Sequence, residues 1–278
     1  MTQHCKYSHQ FKQNKNTKKI IKRRKKEKKV DKVNILYTNA NGLRGKIDSL
    51  HSAATATETD IITVVETKLD SAPPNLEKYS WVTRNRTVGK GGGVGIAIHN
   101  NILKQVSVIE NIESDEDTEI IWVAVKNHSS KKCKNLAIGV FYGPQENENK
   151  EKVEKIYSVV SSQINSIKQN HEIILTGDFN AKLQVNTLEI NQNESRNGTI
   201  LKQMNNLTGT IPYTIKNMKP EWTRINRKNP NEKAILDYVI TSEQTNQLIY
   251  ETQIETEGIY RLNHKTREKG IIEIEHET

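Results

Sequence analysis

Carboxylates, carboxamides and a phenol stand at or just past the ends of apolar runs in this chain. Asp178 and Asn180 follow Ile173-Ile174-Leu175-Thr176-Gly177, Glu66 follows Ile61-Ile62-Thr63-Val64-Val65, and Tyr142 follows Leu136 to Phe141. Asn39 and Asn41 lie beyond Val33-Asn34-Ile35-Leu36-Tyr37, Asp237 sits in the run Ala234 to Ile240, and His264 comes later. Hydrolysis of a phosphodiester would use this set: it needs charge neutralised on phosphoryl oxygens, a water oriented for in-line attack and help for the departing oxygen. Glu66 could ligate Mg²⁺, which takes few carboxylates and keeps several waters. Asp178 could deprotonate a nucleophile. Asn180 and Asn39 could donate to phosphate or fix a metal shell, and Tyr142 could bond a phosphate or leaving oxygen. His264, held by Asp237 as a carboxylate–imidazole pair, could stabilise developing negative charge. Each residue also has a plainer reading. Asp-x-Asn and Asn-x-Asn are common in turns, and Glu66 could be an acid at a helix N-terminus.

The elements that must position these groups can be read from periodicity. Val33 to Tyr37 reads as a strand, Leu43, Ile47, Leu50 and Ala54 recur at helical spacing, and Ile61 to Val65 reads as a second strand, giving a β-α-β opening. Short apolar runs at 81–83, 93–98, 106–109, 120–125 and 136–141 read as antiparallel strands joined by hairpins. Val153, Ile156, Val160, Ile164 and Ile167 mark an amphipathic helix before the Asp178 strand. A weakly patterned, Asn-rich stretch covers 184–210, and further strands are expected at 234–240 and 271–274. Gly91-Gly92-Gly93 lacks the Lys-Ser/Thr of a phosphate-binding loop and reads as a tight turn before a buried strand. The expected fold class is α/β (α+β), with two mainly antiparallel sheets packed face to face and helices outside.

The 278 residues carry a formal charge of +9, but that charge is local. Residues 1–30 hold 12 of the 42 Lys and Arg and one of the 33 acids, leaving the remainder at −2. The division is therefore a basic, disordered tail at 1–30 and one domain at 31–278. Lys22, Arg23, Arg24, Lys25 and Lys26 at the tail's centre suit phosphate contact or nuclear import, and lysines on phosphates position without reading sequence. Two cysteines, Cys5 and Cys133, argue against a disulfide framework and for a reducing compartment. Neither a signal-peptide h-region nor a membrane-spanning run is evident, so an intracellular, nuclear or cytoplasmic monomer with no membrane partner is expected.

Taken in order, Thr38-Asn39-Ala40-Asn41-Gly42-Leu43-Arg44, Val65-Glu66-Thr67-Lys68, Phe141-Tyr142-Gly143-Pro144, Gly177-Asp178-Phe179-Asn180-Ala181 and Leu236-Asp237-Tyr238-Val239-Ile240 resemble the motifs of the endonuclease/exonuclease/phosphatase family. The resemblance spans about residues 33 to 276. Gly92 to Ile98, the Tyr-Gly-Pro and Trp222-Thr223-Arg224 are most similar to the apurinic-type endonuclease domain of non-LTR retrotransposons. The family implies a four-layered α/β sandwich and cleavage dependent on Mg²⁺, with Mn²⁺ an alternative. This branch implies nicking of target DNA to prime reverse transcription, with a reverse transcriptase domain or element RNA as further partners. Carried over by motif, Glu66 is the metal ligand with Asn39 beside it, Asp178 and Asn180 serve the nucleophile and phosphate, Tyr142 the phosphate, and Asp237 pairs with His264.

Two positions depart from the pattern. Asn41 stands where related repair enzymes often have Asp. The family's final Ser-Asp-His reads Leu262-Asn263-His264, which removes a carboxylate from the metal and histidine environment and implies activity lower by about 10- to 100-fold or more. Two other readings stay open: a catalytically inert nucleic-acid-binding remnant, and a family sibling acting on abasic DNA or small phosphoesters.

Overall fold

The computed structural model describes residues 32–87, 89, 91–126, 134–187, 189–212, 222–225, 229, 231–255 and 269–275. β1 (Lys32–Asn39) passes through α1 (Ile47–Ala56) into β2 (Ile61–Val65), which pairs with it in parallel. β3 (Tyr79–Arg84) and β4 (Val94–His99) follow as an antiparallel pair, then β5 (Val106–Val108), β6 (Glu119–Val125) and β7 (Asn135–Tyr142). α2 (Lys150–Ile167) returns the chain to β8 (His171–Asp178), parallel to β7. A ribbon of β9 (Val185–Asn186) and β10 (Asn191–Gln192) precedes α3 (Arg196–Thr208) and β11 (Thr210–Pro212). A second ribbon, β12 (Arg224–Ile225) with β13 (Lys233–Ala234), leads to β14 (Asp237–Ser242), α4 (Glu243–Leu248), β15 (Ile249–Glu255) and β16 (Lys269–Glu275).

Two six-stranded sheets result, ordered β15-β16-β1-β2-β4-β3 and β11-β14-β8-β7-β6-β5. Each contains one parallel pair, β1/β2 or β7/β8, joined by the helical crossover that parallel strands require; the other pairings are antiparallel. Alternate residues of both sheets meet in the middle. Val33, Ile35, Ile61, Val94 and Ile96 of one pack against Ile121, Val123, Ile138, Val140 and Ile174 of the other. α1 covers the outer face of the first sheet through Leu50, Ala53 and Ala54 on Leu36, Ile62 and Val64. α2 and α3 cover the second through Ile156, Val160, Leu201 and Met204 on Trp122, Phe141, Ile173 and Leu175. The Trp122 indole N–H donates to the buried Gln163 of α2 at 2.8 Å, so the one polar atom of that ring is satisfied. Helix, sheet, sheet, helix is the four-layered sandwich expected from the sequence. No helix among the described residues is long and apolar enough to cross a membrane.

The structure corrects three local expectations. The strands from 93 to 141 are not one run of hairpins: β4 lies between β2 and β3, both of its edges are occupied, and the chain crosses to the other sheet to form β5. The apolar run 234–240 is broken at Ile235–Leu236, whose backbone bonds Gln192 and Thr223 rather than a continuous ladder. The Asn-rich stretch holds the 13-residue α3. Its pattern is masked because polar Asn197, Asn205 and Thr208 are buried beside Ile200, Leu201 and Met204. Its ends carry clear signals, since the Ser195 side chain accepts from Gly198 N–H and Gly209 closes the helix at φ +63.

Inside the sandwich the apolar filling gives way to polar groups toward one end. Thr176 of β8 donates to Thr63 of β2 at 2.9 Å between the sheets, and both are fully buried. Thr176→Val leaves the buried Thr63 hydroxyl with only its 3.5 Å bond to the Leu36 carbonyl and is expected to cost about 1–3 kcal/mol, whereas Thr63→Val with Thr176→Val removes both hydroxyls and costs less than the sum of the single changes. Urea unfolding midpoints of the four proteins of this double-mutant cycle give the coupling.

Candidate active site

Both parallel pairs deliver their C-terminal ends to the same end of the sandwich. Asn39 is in register with Val65, which is followed by Glu66, and Tyr142 is in register with Asp178. Asp237 is in register with Asp178 from the other side, and Glu119 with Tyr142. Cross-strand partners project to the same face. Glu119, Tyr142, Asp178 and Asp237 therefore form a row across the second sheet, one step beyond the inner layer of Ile121, Val140, Thr176 and Val239.

The sheets are joined here by one carboxamide. Asn39 Nδ2 donates to Glu66 Oε1 at 3.0 Å and to Asp178 Oδ2 at 3.2 Å, and all three residues are buried. Asn39 Oδ1 accepts the Asn41 backbone N–H at 3.1 Å, which fixes which end of the amide faces the carboxylates. Asn39 was expected as a metal ligand. In this structure its N–H groups face the acidic centre and bridge the two carboxylates. Asp178 is held from its other oxygen by the Asn180 backbone N–H at 3.0 Å. One N–H of the Asn180 amide donates to the Gly143 carbonyl at 2.9 Å.

Backbone strain marks the same place. Six non-glycine residues have positive φ among the described residues, and four of them are Asn41 (44°), Glu66 (50°), Lys68 (51°) and Asn180 (46°). Asn accepts this region readily, but Glu and Lys do so at a cost of order 1 kcal/mol each. Backbone bonds on both sides hold them there: after the β1 end Gly42 N–H donates to Glu66 O at 2.8 Å, and Lys68 N–H donates at 2.8 Å to Gly92 O, just before β4.

Lys68 shows what these oxygens accommodate. Its ammonium lies 3.1 Å from Glu66 Oε2 and bonds Asn41 Oδ1. A cation thus already sits on a carboxylate and a carboxamide oxygen, a donor set suited to Mg²⁺ or Mn²⁺, which are bound by one or two carboxylates with waters completing the shell. No group of three or more His, Cys, Asp or Glu that could hold a metal ion occurs among the described residues.

Two phenols face the acidic centre. Tyr142 is pushed above the ordinary tyrosine range by burial, with further upward contributions from the Glu66 and Asp178 carboxylates. Tyr37 is raised by burial and then by Asp237 and Asp178, and its hydroxyl donates to Asp237. Both therefore remain neutral hydrogen-bond donors at neutral pH.

The structure brings together Asn39, Glu66, Tyr142, Asp178, Asn180 and Asp237, with Asn41 at the exposed rim. His264 and Asn263 lie outside the described residues, as do Lys22, Arg23, Arg24, Lys25 and Lys26. Several supporting residues escape a reading of motifs. Tyr37 and Glu119 were visible in alternation, as the polar ends of Val33-Ile35-Tyr37 and Glu119-Ile121-Val123. Thr223 lies within the Trp222-Thr223-Arg224 stretch but had no role assigned: its hydroxyl accepts the N–H groups of Leu236 at 2.8 Å and Asp237 at 3.1 Å, which sets the start of β14.

Asn197 is the largest omission. Fully buried at the start of α3, it donates to the carbonyls of Pro144 at 3.0 Å and Asn180 at 3.2 Å. It clamps the loop after Tyr142 to the loop after Asp178. Gly143 lets these loops meet, because a Cβ there would fall 2.3 Å from the Phe179 carbonyl oxygen.

Residues 33–259 match the family model described as Endonuclease/Exonuclease/phosphatase family. A comparison with curated protein sequences gave no match. Among solved structures the chain is similar to the AP endonuclease LMAP from Leishmania major (TM-score 0.71, 14% identity, 89% of this chain and 89% of that one). It is also similar to the 3′ phosphatase NExo from Neisseria bound to a product DNA hairpin (TM-score 0.66, 14% identity, 88% and 100%). A third similar structure is the endonuclease domain of TRAS1, a telomere-specific non-LTR retrotransposon (TM-score 0.62, 13% identity, 88% and 100%). At these identities the likeness is one of fold.

Asn197→Ala leaves two buried carbonyls unpaired and is expected to cost about 1–3 kcal/mol in urea unfolding. Asn197→Asp, which keeps the shape but offers acceptors to acceptors, should cost at least as much.

Proposed function

The chain belongs to the Endonuclease/Exonuclease/phosphatase family, and on that premise we propose that it is a metal-dependent phosphodiester hydrolase that nicks DNA. The observation that carries this reading is the convergence of Glu66 and Asp178 on the Asn39 amide, with Tyr142 and Asp237 in register beside them. Glu66, with the Asn41 carboxamide oxygen, would hold a divalent cation, Mg²⁺ or Mn²⁺. When bound, that cation supplies neutralisation of charge on a phosphoryl oxygen.

The chain's own residues would do the rest. Asp178, oriented through both oxygens by Asn39 and Asn180, accepts the proton of the attacking water. Asn180 and the neutral Tyr142 phenol would donate to non-bridging or leaving oxygens, and the motif resemblance assigns His264, as the partner of Asp237, to stabilise the charge that develops. Tyr37 and Thr223 fix Asp237 from its side chain and its backbone.

The motif set and the retrotransposon endonuclease among the similar structures favour target-site nicking that primes reverse transcription, with a reverse transcriptase domain or element RNA as partners. In this reading the tail residues Lys22 to Lys26 contact DNA phosphates, and the protein works in the nucleus or reaches it from the cytoplasm. Abasic DNA and small phosphoesters are the competing substrates. Purified protein is expected to convert supercoiled plasmid to the nicked form with Mg²⁺, to stop with chelator, and to lose about 10²- to 10⁴-fold in rate on Asp178→Asn. Faster cleavage of a small phosphoester than of plain or abasic duplex would sink the DNA-nicking reading.

Asn263 in the place of the family's Asp favours a second reading, an inert nucleic-acid-binding remnant. Asn263→Asp separates the two in the same plasmid assay. Rescue of an inert protein supports the remnant, and no gain in an active one shows that Asn263 does not limit the rate.

A further inference from the structure

Beside the site stands a buried carboxylate that hydrolysis does not use. Glu119 opens β6 in register with Tyr142, is only 5% exposed, and adds a negative charge to a row that already holds Asp178 and Asp237. A polyanionic substrate would be repelled by it unless it were compensated. Its compensation is Arg86, from the loop that follows β3. Arg86 Nε lies 2.5 Å from Glu119 Oε1 and an Nη of the same fork pairs with that carboxylate. The other Glu119 oxygen accepts the Gly93 backbone N–H.

The loop is shaped around this pair. Gly92 has φ +65, and a Cβ there would fall 2.4 Å from Arg86 Nε and 2.6 Å from Glu119 Oε2. The guanidinium carbon lies 5.6 Å from the centroid of the Tyr142 ring, within cation–π range. The Arg86 side chain is 32% exposed against 7% for Glu119, so the anion is sealed in while its cation reaches the surface next to Tyr142.

We propose that Arg86, positioned by Glu119 and the Tyr142 ring, contacts a non-bridging phosphate oxygen of the bound nucleic-acid strand, at the phosphate neighbouring the one that Tyr142 serves. This inference rests on the reading of the site as a DNA-nicking centre. A planar fork can serve a carboxylate along one edge and a phosphate beyond it, which a lysine cannot imitate. Glu119 is then a positioning residue, and its burial serves to aim the arginine.

Binding of a fluorescein-labelled duplex, measured by anisotropy across a salt series with chelator present so that nothing is cleaved, tests this. Arg86→Gln is expected to weaken binding about tenfold at low salt and to reduce the slope of log affinity against log salt by about one. Arg86→Lys should restore the slope but not the full affinity. Urea midpoints of the variants are read in parallel. A salt slope unchanged in Arg86→Gln overturns the proposal and leaves Arg86 as the internal counter-ion of Glu119, whether or not the midpoint falls. If instead the wild-type protein neither binds nor nicks DNA, the reading of the site fails before Arg86 is in question.

Discussion

Two buried carboxylates from different sheets, Glu66 and Asp178, share the single amide nitrogen of Asn39. Like charges so placed repel, and the folded chain must hold them together by other means. It does so with the rest of its architecture. The apolar filling between the sheets fixes their separation, the Thr63–Thr176 bond sets their register, and the two helical crossovers bring the C-terminal ends of both parallel pairs to one edge. Seen this way, the sandwich is a clamp whose core free energy holds the acidic centre in place.

Two of the carboxylates at the site are paired with a cation. Lys68 lies on Glu66, and Arg86 on Glu119, each cation drawn from the strand end or loop beside its anion. The phenols of Tyr37 and Tyr142 stay protonated because of burial and the nearby carboxylates, Asp237, Asp178 and Glu66 for Tyr37 and Glu66 and Asp178 for Tyr142, so they add donors without adding charge. A site with this composition can approach a phosphodiester even though the chain beyond residue 30 is close to neutral overall. Long-range attraction would fall to the basic tail and short-range fit to the site.

Much of this was legible in the sequence because it follows from strong local patterns. Short β-branched runs ending in Glu66, Tyr142 and Asp178 announce buried strands with polar ends, and the spacing of Val153 to Ile167 announces α2. What stayed hidden depends on long-range pairing or on buried polarity. That β5 joins the second sheet is decided by the occupied edges of β4, which no local window records. α3 hides because Asn197 and Asn205 face inward, where the helical rule expects apolar residues. Thr223 and Asn197 matter through the carbonyls and N–H groups they satisfy across 13 to 53 residues of chain, and periodicity carries no trace of such partners.

The left-handed backbone at Asn41, Glu66, Lys68 and Asn180 also bears on how this protein can change. At Glu66 and Lys68, glycine would relieve the left-handed strain if the side chain had no task, offset in part by the freedom it adds to the unfolded chain. Drift or redesign that rewards stability alone would act on these positions without regard to the chemistry they carry, and a measure of folding would not report the function lost. Side chains that persist at such places in related chains would be a record of selection for chemistry, written in the backbone and readable without an assay.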